Sequence, residues 1–235
     1  MPGKASAKTA TKSASKKEPK TKYSFTAPTP EYVQQILDIL WETYPDARTA
    51  LTYDNPLELL VATILSAQCT DERVNKVTKV LFERYKTTED YADCDIEELK
   101  DIIRSTGFFN QKAKYIKEMA ATVIDKHNGT IPKNMEELTK LPGVARKTAN
   151  VLLSSAFGIT AGVVVDTHVK RVSYRLGLTD KTDPDKVEQD LMQYIPEEKW
   201  IFVGDSLIYH GRKYCDARKP DCENCPINKI CPKRI

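Results

Sequence analysis

What this sequence lacks narrows its class. No apolar run approaches the roughly 20 residues that cross a bilayer, so no membrane span is expected. The N-terminus has no apolar stretch of the secretory kind, and residues 1–22 contain no arginine, which argues against a mitochondrial transit segment. The expected setting is intracellular, cytoplasmic or nucleoid in a bacterium or archaeon. Alternating β-branched runs are nearly absent. The single instance, residues 159–165, has no partner of its kind and reads as an extended connector, so the fold class is all-α. A strong net charge is missing too: the chain carries +3. Seven lysines against Glu18 give residues 1–22 a charge of +6, which leaves −3 on the other 213 of the 235 residues. The folded part therefore has no global basic field, and any nucleic-acid surface must be a local patch or a set of backbone donors.

What is present is an ordinary globule of 40% hydrophobic and 29% charged residues, long enough for one large domain or two small ones. Residues 1–24 are rich in Lys, Ala, Ser and Thr and bury too little to offset chain entropy, so they read as a disordered basic tail, either a tether for DNA or a solubilising arm. From Thr29 onward apolar residues recur at helical spacing. Helices are predicted at about 29–40, 57–68, 72–85, 96–104, 112–126, 135–141, 145–157, 167–176, 184–194 and 197–210, with Gly107, Gly129, Gly143, Gly158 and Gly177 as stops.

The first motif that carries chemistry is the run Leu141-Pro142-Gly143-Val144-Ala145-Arg146-Lys147-Thr148. Pro142 cannot continue a helix and Gly143 can take the positive φ of a tight turn. A second helix starts at once, and its first amides have no internal partner. Backbone donors and the positive end of the helix dipole together make an anion site. The same run also fits a plain αα-turn. Lys147 would lie in the first turn beside Arg146, where both the helix end and the neighbouring cation favour the neutral, nucleophilic amine. Asp166 precedes Val169, Val172 and Leu176 at helix spacing and is a natural N-cap, a position that keeps a carboxylate ionised.

Six cysteines occur, and four of them crowd into the last 21 residues as C-x6-C-x2-C-x5-C: Cys215, Cys222, Cys225 and Cys231. In a reducing compartment such a cluster reads first as a metal site. Compact, mixed spacing suits an iron–sulfur cluster better than the two separated pairs usual for zinc, without excluding zinc. Cys69 and Cys94 read as free thiols.

The hairpin run, the later Val165-Asp166-Thr167-His168 and the terminal cysteines, in that order, resemble endonuclease III, a family of helix-hairpin-helix DNA glycosylases. The resemblance extends from about residue 29 to 232. It implies two helical lobes flanking a DNA-binding cleft. One is a six-helix barrel at 50–159 with its helix-hairpin-helix at about 134–150; the other is a discontinuous lobe at 25–49 and 160–235 carrying a 4Fe–4S cluster on the four cysteines. It implies a monomer that takes damaged bases, oxidised pyrimidines such as thymine glycol, out of duplex DNA and nicks the strand at the resulting abasic site. Lys147 would be the Schiff-base nucleophile and Asp166 the catalytic carboxylate. Gly143, Ala145, Arg146, Thr148 and His168 would meet DNA around the hairpin. Gln68 would plug the vacated stack, Phe108 would act as the wedge, and Arg218 and Lys219 would lie near phosphates from the cysteine loop. Ala145 stands where many relatives have glycine. Two other readings share the motifs. A thymine-mismatch glycosylase would keep them all, and a non-catalytic DNA-binding redox module would keep the hairpin and cysteines but could dispense with Lys147 or Asp166. The adenine-removing branch lacks the lysine and fits poorly.

Overall fold

The computed structural model describes residues 23–235; the lysine-rich segment 1–22 lies outside the described residues. Of the tail expected at 1–24, Tyr23 is described, and its hydroxyl donates to the Ile235 carbonyl at 3.1 Å. No strand forms among the described residues, so the all-α class holds, and residues 159–165 are an extended connector. No helix is long and apolar enough to cross a membrane.

The helices run α1 Pro30–Thr43, α2 Pro56–Leu65, α3 Asp71–Arg84, α4 Thr88–Asp93, α5 Ile96–Ile103, α6 Phe109–His127, α7 Met135–Thr139, α8 Arg146–Phe157, α9 Thr167–Arg175, α10 Pro184–Tyr194 and α11 Trp200–Lys213. Short 3-10 turns precede α6 and α11. Side-chain caps start most of them. Thr29, Asn55 and Asp183 accept backbone amides just ahead of Pro30, Pro56 and Pro184, each proline occupying a position whose N–H would have no partner. α4 was not anticipated. It is one and a half turns long with Tyr91 as its main apolar anchor, too short to show a periodicity. A reciprocal capping box between Thr87 and Asp90 holds its start. α2 ends at Leu65, three residues before its expected end at Gln68, and α6 begins at Phe109, three residues before its expected start.

Two hydrophobic cores result. The first is contiguous in sequence, from Leu51 through Leu153, with Leu59, Leu60, Leu65, Tyr91, Ile116 and Met119 fully enclosed. The second is discontinuous, and packs Val33, Ile36, Leu37 and Leu40 of α1 against Val169, Val172, Leu191, Val203, Leu207 and Ile227 from the C-terminal part.

One polar joint ties α8, on the first core, to α10, on the second. The Arg146 guanidinium donates twice to Glu188, at 2.9 and 3.1 Å, and the Asn150 amide donates to the same carboxylate at 2.9 Å. Glu188 is buried, and these bonds supply the acceptor's partners inside the protein. Gly162 of the connector lies against it: a Cβ there would stand 2.0 Å from Glu188 Oε1. Glu188→Ala should cost about 2–3 kcal/mol in urea unfolding, because it strands both donors. The Arg146→Ala, Glu188→Ala double variant should cost clearly less than the sum of the singles. Additive losses would mean that the pair does not act as a joint.

Candidate active site

A cavity of about 640 Å³ opens between the two cores. Each helix that borders it turns one stripe inward. From α8 come Lys147, Val151 and Ser154, and from α11 come Asp205, Ile208, Tyr209 and Arg212, both at helical spacing. The start of α9 adds Asp166, Thr167 and His168, the α2–α3 loop adds Gln68, and the start of α3 adds Asp71. Lys147 and Asp166, 19 positions apart and on different cores, thus share one space.

Asp166 is the N-cap of α9. Its Oδ1 accepts from the amides of His168 and Val169 at 2.7 and 2.8 Å. Both bonds go to one oxygen, and the residue borders the cavity. His168 is half-buried, and burial lowers its pKa, so the ring is neutral at pH 7. Arg171 has only donors, and its Nη2 stands 3.1 Å from His168 Nδ1; that nitrogen must accept, which puts the ring proton on Nε2.

Lys147 is exposed on the first turn of α8. Gly143, two residues before the N-cap, has φ +75°, and a Cβ there would lie 2.8 Å from Tyr115 Cβ, so the turn excludes any side chain on two grounds. Ala145 is the N-cap, at φ −83°, a conformation alanine adopts without strain, and no side chain caps the helix. The first amides of α8 are therefore left for an external acceptor. Thr148 is half-buried beside them. Arg146 does not stand free as the sequence suggested. Its charge is answered by Glu188 rather than left facing Lys147, and the pairing with Glu188 raises its pKa further.

Gln68 and Phe108 are both exposed, and both have left-handed backbones, at φ 55° and 49°. Only two other non-glycine residues among those described do so, Asn128 and Lys233. One side chain fastens the two loops. Lys112, only 4% exposed, donates from Nζ to the carbonyls of Leu65 at 2.7 Å and Thr106 at 2.8 Å, just ahead of Gln68 and Phe108 respectively. Burial lowers its pKa.

The four C-terminal cysteines line a second pocket, walled by Val172, Leu176 and Tyr214. N–H donors already point at two of the sulfurs, Arg175 Nη1 at 3.4 Å from Cys215 and the Lys233 amide at 3.4 Å from Cys231, and His210 Nε2 lies 3.4 Å from Cys225. Tyr44 OH lies 3.2 Å from His210 Nδ1 and holds the ring. Burial pushes the Cys225 and Cys231 thiols up, so anionic sulfur there needs a cation to bind. All four sulfurs border this one pocket, as a cluster held by four thiolates requires. Arg218 and Lys219 are exposed in the loop between the first two cysteines, their amides donating to Asp216 Oδ1 at 2.8 and 3.0 Å, and neither borders the cleft.

Residues 61–197 match the family described as HhH-GPD superfamily base excision DNA repair protein, and residues 215–231 match the iron–sulfur binding domain of endonuclease III. The chain is 55% identical over 198 residues to endonuclease III of Synechocystis sp., covering 84% of this chain and 90% of that one. The chain belongs to the endonuclease III family. Two solved endonuclease III structures, a non-covalent DNA complex and a trapped DNA covalent intermediate, superimpose with a TM-score of 0.84. Their identities are 47% and 46%, and each alignment covers 88% of this chain and 97% of theirs. As a member of the endonuclease III family the chain is a base-excision DNA glycosylase and abasic-site lyase with a 4Fe–4S cluster.

Sequence reasoning passed over several cleft residues of this endonuclease III homologue. Arg48 and Arg212 line the cavity, the latter bonded across the cleft to Asp71 at 2.6 Å. Lys112 carried no signal, since a lysine in an exposed-looking helix start reads as solvated. Asp205 did not either. Burial raises its pKa to about 6, against 3.8 in an ordinary setting. The folded state therefore disfavours its ionisation, so its contribution is most favourable below about pH 4 and is lost as pH rises toward 6. At pH 7, Asp205→Asn should be more stable than the parent by on the order of 2 kcal/mol. The advantage should vanish near pH 4, as read by denaturant unfolding across the range; an equal difference at both pH values would contradict the burial argument.

Proposed function

We propose that this enzyme removes oxidised pyrimidines, thymine glycol among them, from duplex DNA and then cleaves the strand by β-elimination, working inside the cell as a monomer. The observation that carries the reading is the shared cavity: an exposed amine on α8 and a half-buried carboxylate capping α9 border the same space. Lys147 is the nucleophile. Asp166 draws the ammonium proton off, directly or through water, and its negative charge stabilises the sugar as the glycosidic bond weakens. The amine attacks the anomeric carbon, the base departs with the bonding electrons and takes up a proton, and the ring-opened sugar becomes an imine of Lys147. Loss of a C2′ proton then expels the 3′ phosphate. A relative solved as a trapped covalent intermediate with DNA supports a covalent step.

DNA is held by the uncapped start of α8, whose amides around Gly143, Ala145, Arg146 and Thr148 suit a phosphate, with the Nε2–H of His168 as a further donor. Arg218 and Lys219 add charge from the cysteine loop. Gln68 and Phe108 enter the duplex when the damaged nucleotide leaves it. Their left-handed backbones support that role, because strain retained at exposed residues is otherwise a pure cost. Cys215, Cys222, Cys225 and Cys231 hold the cluster, which supplies the cross-link that closes the discontinuous lobe.

Borohydride added during reaction with a thymine glycol duplex should trap a protein–DNA adduct. Lys147→Gln should abolish it, and an adduct surviving that change would remove Lys147 from the mechanism. Phe108→Gly relieves a left-handed residue at an exposed site, so thermal unfolding should show stability unchanged or raised by about 1 kcal/mol. Base release by the same variant should fall about tenfold through lost stacking. Unchanged base release would mean that Phe108 is not the wedge.

A further inference from the structure

Asp205 has no stated part in catalysis, yet it is the most anomalous charged group in the cleft. It lies on the α11 stripe that faces the cavity, between Ile201 and Tyr209. A second cavity, of about 760 Å³, continues from the first beneath the connector ahead of α2, and Asp205 borders both. Ser154 and Ser155 of α8 face it across this junction, about two turns along the helix from Lys147. Among the described residues the half-buried Asp205 carboxyl has no hydrogen bond and no ion pair. Two nearby donors are used elsewhere, the Tyr53 hydroxyl donating to the Ser155 carbonyl at 2.7 Å and Arg212 held by Asp71, while Arg48, which borders both cavities, makes no ion pair with Asp205.

A half-buried carboxyl that borders a cavity and takes no donor from the protein is open to one from a ligand. The sugar end of the cleft is occupied by Lys147 and Asp166. What lies beyond a sugar carbon attacked by Lys147 is the base. We propose that Asp205 is a specificity-determining residue, its carboxyl accepting a hydrogen bond from the N–H or hydroxyl edge of the pyrimidine swung out of the duplex. Oxidised pyrimidines offer such donors in their imide N–H and, after saturation of the ring, in added hydroxyls. An abasic sugar offers none at this position. The inference rests on the reading that Lys147 and Asp166 act on the sugar in this cavity.

The test compares two single-turnover rates in the full-length enzyme with its cluster: base release from a thymine glycol duplex, and nicking of a duplex with a preformed abasic site. Asp205→Asn keeps the shape and removes the anionic acceptor; Asp205→Ser is the second variant, and visible absorption of the cluster reports on folding in both. The ratio of base release to abasic-site nicking should fall about tenfold or more in each, the effect of losing a charged hydrogen bond confined to the base. A ratio equal to that of the parent, whatever the absolute rates, overturns the proposal. Failure of the underlying reading registers separately, as abasic-site nicking that survives Lys147→Gln in an otherwise unaltered enzyme.

Discussion

The joint formed by Arg146, Glu188 and Asn150 fixes the register on which the rest of the molecule depends. Lys147 belongs to a helix of the first core and Asp166 to a helix of the second, so their common cavity exists only while the cores hold one relative position. Hydrophobic packing within each core cannot set that position to a fraction of an ångström. A bidentate, charge-assisted pair one residue from Lys147 can, because the guanidinium and carboxylate planes must match in both distance and angle. The connector between the cores presses Gly162 against the same carboxylate, leaving no room for a side chain there.

Where the sequence was legible, local chemistry decided the outcome. The Pro142-Gly143 turn, the Asp166 cap and the four spaced cysteines each need particular residue types at particular spacings, and each is where the sequence put it. The all-α class followed from long helical periodicities, and the short α4 escaped because six residues offer no period to detect. The ion pair of Arg146 was not legible for a different reason. Beside a phosphate-like turn an arginine reads as a DNA contact, but its partner Glu188 lies 42 positions away and no local pattern announces it. Lys112 and Asp205 were invisible on the same ground: a charge that tertiary packing encloses looks, in sequence, like any solvated charge.

The two exposed loop residues illustrate how rigidity and strain are combined. Gln68 and Phe108 sit in backbone conformations that side chains disfavour, and nothing in the fold covers them. They remain there because Lys112 grips the chain just ahead of each loop with two short bonds to carbonyls. The buried ammonium is itself disfavoured, and the carbonyls offset that cost by accepting its protons. A soft pair of loops would have to be ordered at each encounter with DNA; this pair is ordered beforehand.

The discontinuity of the second core bears on how the molecule comes into being on the ribosome. Helix α1 is made early, but the partners of Val33, Ile36 and Leu40 emerge only with the final third of the chain, and the imidazole that links Tyr44 to Cys225 comes later still. The first core needs nothing beyond Ala161 and can close while translation continues. Until the last cysteine is released, α1 must wait with its apolar stripe exposed, so the nascent enzyme is most vulnerable to misassociation in its oldest segment rather than its newest.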